Sequence, residues 1–545
     1  MTGADLLVRE LKTRGVTFLP TLCGHGLDPI LYAAKRAGVR VVDVHNEQTA
    51  SYVADAYARL TRRVGVCASS TGIAHVNAFA GLLNAWFDGA PMLLITGSSD
   101  VRHLGRGAFQ DVDHARLAQP LCRHAELVTS AERIPHAVHA GFAAATSGRP
   151  APVNLTIPLD VLAAEVDENK VPNFPRVGEV RLPDTAADAD DVRAAVRLLS
   201  SAQSPLIVAG TGAFYADAGA ELLAFAEGAR IPVVTPIWDK GVVNKPSPMF
   251  LGVIGAASGE PRLLQDTDAL LLVGAQVDYR LRYLDSPPLR SEVRMVRMDA
   301  DSHTLCQGRQ PDIALLGNPK TVCRQLAEEW QRQNAQSHHA WLTEAQQRHR
   351  QFYAPWAQPV GGAMNGSHLV HALRETLTDE TVLLIDGGNI GQWAHFVLCN
   401  DRYSSHWLTC GASAVVGWGI GGAMAARLAY PDRPVVLLIG DGAIGFNIMD
   451  IEAIARQELP VLILLADDCG WGIVITGQQA HKGETVASEL GKVDYAALAR
   501  AMGARGVRVD DASRLPEAIN EGLASGKVTL LHAPIAVGGP AELRC

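Results

Sequence analysis

A chain of 545 residues with 48% hydrophobic and 19% charged side chains is too long for one hydrophobic core and too apolar to stay disordered, so about three or four folded domains are expected. A net charge of −9 without runs of Lys or Arg excludes nucleic acid as a principal partner, and no stretch approaches the roughly 18 apolar residues of a membrane span. Nine scattered cysteines, odd in number and without a CxxC pair, point to reduced thiols in a cytoplasmic setting rather than to a disulfide framework or a zinc site.

In chain order, the N-terminus MTGADLLVRELKTRG reads as an amphipathic helix carrying acids, not as a signal peptide. Residues 4–162 alternate helix and strand. The strand VTFLPTL (16–22) ends in the glycine-rich turn Cys23-Gly24-His25-Gly26. The strand VRVVDV (39–44) leads into His45-Asn46-Glu47 and a helix bearing Ala50, Val53, Ala54, Tyr57 and Ala58. Further strands are expected at 64–68, 91–96 and 152–158. Residues 166–191 are polar and proline-spotted, the composition of a linker. A second α/β unit follows, with strands at 205–209, 232–235, 269–273 and 293–297; its Gly210-Thr-Gly212 lacks the third glycine of a dinucleotide fingerprint. Residues 328–358 are charged, helical and rich in Gln and His, as in a connector. A third unit runs from about residue 365, with strands at 382–385, 435–439, 461–466 and 529–533. The expected fold is therefore α/β: three doubly wound domains with parallel sheets at 1–165, 190–335 and 361–545, joined by a linker at 166–189 and a helical connector at 336–360.

Residues 435–472 carry the strongest chemical signal. VVLLI (435–439) is the continuous apolar run of a parallel strand covered on both faces, and Gly440-Asp441-Gly442 breaks it. Ile448, Ile451, Ile454 and Ala455 recur at helical spacing, and Pro460 stops that helix before the next run. A strand–helix–strand unit of this length is parallel, so both strand ends face one edge and Asp441 and Asp468 converge there. Two carboxylates beside a glycine turn and a helix N-terminus suit a hard cation holding a phosphate; solvated turn acids are the plain alternative. Gly417-Trp-Gly419-Ile-Gly421-Gly422 has GxGxxG spacing, but the preceding HWLTCGASAVV is a poor strand. Helix packing, or close approach to a flat ligand, explains those glycines better than a dehydrogenase fingerprint. On local grounds Glu47 is an ordinary first-turn acid, His25 a solvated loop histidine and Gln110 anonymous. The sequence has no GxxxxGK[ST], GxSxG or HExxH. With no evident nucleophile, the hard chemistry belongs to a cofactor.

Gly440-Asp441-Gly442 followed after 25 residues by Asp468 resembles the thiamine-diphosphate signature, which ends in Asn-Asn where this chain has Asp467-Asp468. His45-Asn46-Glu47 resembles the site of that family's activating glutamate, and Phe109-Gln110 resembles a pair found in acetolactate synthase-like members. Asn84-Ala-Trp-Phe-Asp88-Gly-Ala-Pro91 and Asp468-Cys-Gly470-Trp471-Gly472 resemble benzaldehyde lyase. Gly-Ala-Phe-Gln with the later Ala-Ile-Gly-Phe is similar to 2-hydroxyacyl-CoA lyase and oxalyl-CoA decarboxylase.

The resemblance spans nearly the whole chain and implies a pyrimidine-binding, a central and a diphosphate-binding domain, in that order. It implies thiamine diphosphate and Mg²⁺ as cofactors, with the metal on the Asp441 and Asp468 side chains and the Gly470 carbonyl. Gly388, Asn389, Gly440, Gly442 and Ala443 would hold the cofactor, the Ala414 carbonyl its pyrimidine amine, and Val416 would be the apolar wedge that bends it. Glu47 would activate the aminopyrimidine, His25 and Gln110 would handle substrate oxygen, and Phe109 and Trp471 would wall the pocket. His25 stands one residue from the register of the benzaldehyde lyase histidine. FAD, carried by some acetolactate synthases, is not expected, because Gly274-Ala275-Gln276 replaces the usual Gly-Ala-Arg.

The implied activity is a lyase or carboligase acting on a 2-oxo acid, aldehyde or 2-hydroxy ketone, in a homodimer or homotetramer whose site is shared between subunits. The alternatives are a 2-hydroxyacyl-CoA lyase or oxalyl-CoA decarboxylase type of enzyme, a simple 2-oxo acid decarboxylase, and a catalytically silent homologue that keeps the fold. Asp468 and the small Val416 motivate the last.

Overall fold

Long apolar runs bounded by glycine or proline can be buried on both faces only in a parallel sheet covered by helices, and three such sheets form here. The computed structural model describes residues 1–167, 169, 171, 174, 180–255, 262–286 and 289–542. In the first sheet β1 (Phe18–Thr21), β2 (Arg40–Asp43), β3 (Gly65–Ser69), β4 (Met92–Ser98), β5 (His124–Leu127) and β6 (Pro152–Pro158) lie in the order β2-β1-β3-β4-β6-β5. In the second, β7 (Pro205–Ala209), β8 (Val233–Pro236), β9 (Phe250–Ile254), β10 (Ala269–Val273), β11 (Arg294–Asp299) and β12 (Ile313–Leu316) lie in the order β12-β11-β10-β7-β8-β9. In the third, β13 (Val382–Asp386), β14 (Trp407–Thr409), β15 (Val435–Gly440), β16 (Leu462–Asp467), β17 (Arg505–Arg508) and β18 (Thr529–Pro534) repeat the first order as β14-β13-β15-β16-β18-β17. The pairings within each sheet are parallel, with helices as the crossovers.

Apart from β2, an edge strand, the strands read from the sequence are interior ones, and the interior side chains form the core: Val435, Val436, Leu437, Leu438 and Ile439 are all fully buried. Strands β5, β9, β12, β14 and β17 were not among the expected elements, and each lies at a sheet edge. An edge strand pairs on one side only, so it needs no uniform apolar run; in β5, β12 and β17 most residues are partly exposed. Residues 407–409, within the stretch read as a poor strand, form a short one. Of the expected linker, residues 168, 170, 172–173 and 175–179 lie outside the described residues. The connector at 336–360 is occupied by the helix His339–Tyr353 and the short turn of helix Ala354–Trp356.

The first and third sheets are joined within the chain by the helices Glu47–Thr61 and Gly419–Ala429. A Cβ on Gly421 would lie 2.8 Å from the Cβ of Tyr52, so the GxGxxG spacing at 417–422 serves helix packing. Farther along the same pair, the Tyr430 hydroxyl donates to the Leu60 carbonyl at 2.9 Å. The described cysteines are unpaired, and among the described residues no helix is long and apolar enough to cross a membrane.

Leu437 is fully buried in the interior strand β15, opposite Leu384 and Ile463. Leu437→Ala is expected to cost about 2–5 kcal/mol, read as a lower unfolding midpoint in denaturant; a midpoint equal to that of the parent would contradict this placement.

Candidate functional site

Strands β15 and β16 pair in parallel with Gly440 opposite Ala466, so the chain leaves both at one edge. Asp441 opens the short helix Asp441–Ile444, and Asp468 immediately follows β16. Asp441 is buried and Asp468 half-buried, and the Gly470 N–H donates to Asp441 Oδ2 at 2.9 Å. Burial pushes both carboxyls above their ordinary range, and the Asp468 charge raises Asp441 further. Among the described residues no three His, Cys, Asp or Glu side chains converge on a metal-sized site. A cation between this pair would thus take its remaining oxygens from backbone, water or a bound ligand.

The two acids border a cleft lined also by Gly388, Asn389, Val416, Gly440, Ala443 and Trp471. Gly388 and Asn389 begin the helix Gly388–Val397, whose free N–H groups lie at this end. The Asn389 amide is buried with neither its nitrogen nor its oxygen hydrogen-bonded within the protein. Trp471 closes one wall: a Cβ on Gly442 would sit 2.7 Å from its ring, so only glycine permits that approach. Phe446 meets the same ring edge-on at 6.1 Å.

Several acids that sequence reasoning missed hold the cleft's loops. Asp386, at the tip of β13, accepts the N–H of Gly417 at 3.0 Å and of Gly419 at 2.7 Å, which fixes the backbone beside Val416. Burial pushes its carboxyl up to about 7 against those bonds. Asp467 pairs with the buried His532 at 2.8 Å and accepts the Cys469 N–H at 3.1 Å. Against the cost of burial, those two contacts hold Asp467 below the ordinary carboxylate range. An acid directly after an apolar strand was the signal that found Asp441, and Asp386 carries the same signal. His532 sits inside a strand and gave none.

The remaining expected residues gather on the first sheet's side. Asn46 caps the helix Glu47–Thr61 by accepting the Gln48 N–H, and Asp450 clamps the same turn through the His45 N–H at 2.6 Å and the Thr49 hydroxyl. Glu47 is half-exposed and accepts a hydrogen bond from the Asn77 amide at 3.1 Å. Asn77 ends the short helix Ile73–Asn77, whose preceding Gly72 backs directly on Gln110. Gln110 has φ 51°, and its carbonyl accepts from the Thr71 hydroxyl at 3.3 Å. His25 meets Phe109 edge-on at 5.4 Å, and Phe109 is 62% exposed. Within one chain the cleft is lined only by residues between 387 and 535, so His25, Glu47, Phe109 and Gln110 form a second cluster outside it. Ala414, at φ 54°, sits on the loop leading to Val416 and does not line the cleft.

Comparison with known proteins gives three matches along the chain, each to a part of one family: thiamine pyrophosphate enzyme, N-terminal TPP binding domain, over residues 1–117; its central domain over 192–326; and its C-terminal TPP binding domain over 386–533. The chain is 31% identical to 2-hydroxyacyl-CoA lyase 2 of Homo sapiens, over 93% of its own length and 84% of that protein. It is 31% identical to the acetolactate synthase large subunit of Parasynechococcus marenigrum over 99% of this chain and 88% of that one. It is 27% identical to a probable acetolactate synthase large subunit of Methanocaldococcus jannaschii over 99% and 93%.

Because the folded chain binds the Asp386 proton more tightly than the unfolded chain does, this acid's contribution to stability is complete below about pH 4 and is lost as the pH rises through about 7. Asp386→Asn is expected to flatten that part of the stability–pH curve. An unchanged slope between those limits would contradict the assignment.

Proposed function

The chain belongs to the thiamine pyrophosphate enzymes, and from that premise we propose that it makes or breaks a carbon–carbon bond beside a carbonyl, with thiamine diphosphate and Mg²⁺ held in the cleft at the ends of β15 and β16. The observation that carries this reading is the approach of the buried Asp441 carboxylate to the half-buried Asp468, a pair whose repulsion a divalent cation would offset. Mg²⁺ prefers six oxygens, which the two acids, the Gly470 carbonyl, diphosphate and water can supply. The unpartnered Asn389 amide, the N-terminus of Gly388–Val397 and the turn formed by Gly440, Gly442 and Ala443 offer donors and open room for a diphosphate. Asp468, where the family signature has asparagine, keeps an oxygen ligand and adds a charge beside a polyanion, so cofactor binding should depend more strongly on the metal.

When bound, the cofactor supplies an electron sink for charge that develops on the carbonyl carbon. The protein's part is to bind, orient and protonate. Glu47 would hydrogen-bond the aminopyrimidine ring, a role that calls for enclosure in an apolar site. Its half-exposed position in one chain fits a role completed by a second copy, so a homodimer is the smallest active assembly proposed, with a tetramer built from it. Exposed Phe109, Phe446, Met449 and Ile473 give apolar surface for such a contact. The Ala414 carbonyl would accept from the pyrimidine amine, and the Val416 side chain would pack against the cofactor. His25 and Gln110 orient the substrate oxygen between Phe109 and Trp471. Residues 1–165, 190–335 and 361–545 serve as the pyrimidine-binding, central and diphosphate-binding domains.

The substrate reading placed first is a 2-oxo acid, aldehyde or 2-hydroxy ketone, in line with the acetolactate synthase relatives. A 2-hydroxyacyl-CoA is the second, supported by the human relative. Purified protein with thiamine diphosphate and Mg²⁺ should turn over at least one of pyruvate, benzoylformate, benzaldehyde, benzoin, or formyl-CoA with an aldehyde. No turnover across that panel, with no thermal stabilisation by cofactor and metal, would remove the enzyme reading. Glu47→Gln should slow turnover by about 10²–10⁴-fold while leaving cofactor affinity within a few-fold of the parent; undiminished turnover would take Glu47 out of its role.

A further inference from the structure

Residues 410–418 join β14 to the helix Gly419–Ala429 without a regular element of their own. Ala414 lies in the left-handed region that non-glycine residues rarely adopt, flanked by Gly411 at φ 81° and Gly417 at φ 90°. A loop in that state relaxes unless its surroundings fix it.

Its surroundings come from the other two parts of the chain. Asp88, which ends the helix Phe79–Asp88, accepts the Ala412 N–H on Oδ1 at 2.8 Å. Arg59 pairs with the same carboxylate at 3.1 Å and donates to the Thr409 carbonyl at 2.8 Å. Asn84, one turn before Asp88, accepts from the Ser413 hydroxyl and donates to Asp55 at 2.7 Å. The Ser413 hydroxyl in turn accepts the Val415 N–H at 3.2 Å, two residues before the left-handed loop ends. Beside the second sheet, the Tyr279 hydroxyl donates to the Ala412 carbonyl at 2.8 Å. A Cβ on Gly411 would lie 1.8 Å from Asp88 Oδ2, so the carboxylate sits directly against the loop backbone.

Asp55, Arg59, Asn84 and Asp88 are all buried. Buried ionic groups of this kind are costly relative to apolar packing, and their best-attested use is to fix one arrangement among several. None of the four lines the cleft: Arg59 and Asp88 hold the backbone at Thr409 and Ala412, Asn84 holds the Ser413 hydroxyl, and Asp55 backs Asn84 and Arg59.

We propose that Asn84 and Asp88 are positioning residues: acting from the first domain, they hold the loop so that the Ala414 carbonyl and the Val416 side chain meet the pyrimidine end of the cofactor. This rests on the thiamine-diphosphate reading. The diphosphate end depends on Asp441, Asp468 and the Gly388–Val397 helix, so loosening the loop should weaken recognition of one half of the molecule and spare the other.

The test compares two ligands in the full-length protein with Mg²⁺: thiamine diphosphate and inorganic pyrophosphate, each titrated by calorimetry. Asn84→Ala and Asp88→Asn should lose about tenfold in affinity for thiamine diphosphate and leave pyrophosphate affinity unchanged. Ser413→Ala removes the same link from the loop side without leaving a buried charge, and should move the affinity in the same direction. Unaltered thiamine-diphosphate affinity in Asn84→Ala and Ser413→Ala, against a parent that binds it, overturns the proposal alone. Equal losses for both ligands overturn it in favour of a general structural role. A parent that binds neither ligand overturns the cofactor reading together with this inference.

Discussion

Two parallel strands in adjacent register force the residues that follow them to the same edge of the sheet, and in this chain both of those residues are aspartate. Asp441 and Asp468 follow β15 and β16, which pair with Gly440 opposite Ala466. Burial raises both carboxyls, and neighbouring acidic charge, from Asp468 on Asp441 and from Asp467 on Asp468, raises them further, an arrangement that folding alone would not favour. Much of the neighbouring structure keeps it in place. His532 and the Cys469 N–H lock Asp467, the residue before Asp468, and the Gly470 N–H is donated to Asp441. A cation joined to a polyanion would relieve the repulsion, and the N-terminus of Gly388–Val397 borders the same space.

The loops around this edge share a second device. A buried backbone N–H must find an acceptor, and a loop has no ladder to provide one. Here carboxylates on other elements provide it. Asp386 serves Gly417 and Gly419, Asp88 serves Ala412, and Asp450 serves His45. Each acid ties a chain segment near the proposed site to a different part of the fold: Asp450 links the third sheet's side to the turn before Glu47, and Asp88 links the first sheet's side to the loop before Val416. The two groups of residues are thereby tied together within the chain, although His25, Glu47, Phe109 and Gln110 do not line the cleft beside Asp441.

What was legible in the sequence follows from this physics. Interior strands were readable because burial on both faces demands an unbroken apolar run; edge strands such as Arg505–Arg508 and Ile313–Leu316 were not, because one open side relaxes that demand. Asp441 and Asp468 were readable from strand ends alone. Asp386 stood in an equivalent position and was passed over for want of a second signal. Asn84, Asp88 and Asp450 gave no local sign of their role, since their partners lie more than three hundred residues away in the chain. The GxGxxG spacing at 417–422 was a dinucleotide signal in form only, because its glycines make room for Tyr52 and Trp418. Glu47, His25 and Gln110 acquired their proposed roles from resemblance, and no periodicity or spacing would have singled them out.

The central claim is that the carboxylate pair at the ends of β15 and β16 binds a diphosphate only through a divalent cation. Calorimetric titration of thiamine diphosphate into the purified protein, once with Mg²⁺ and once with a chelator in its place, tests it most directly. Saturable binding with Mg²⁺ that disappears under chelation is the predicted result. Equal affinity under both conditions would contradict it.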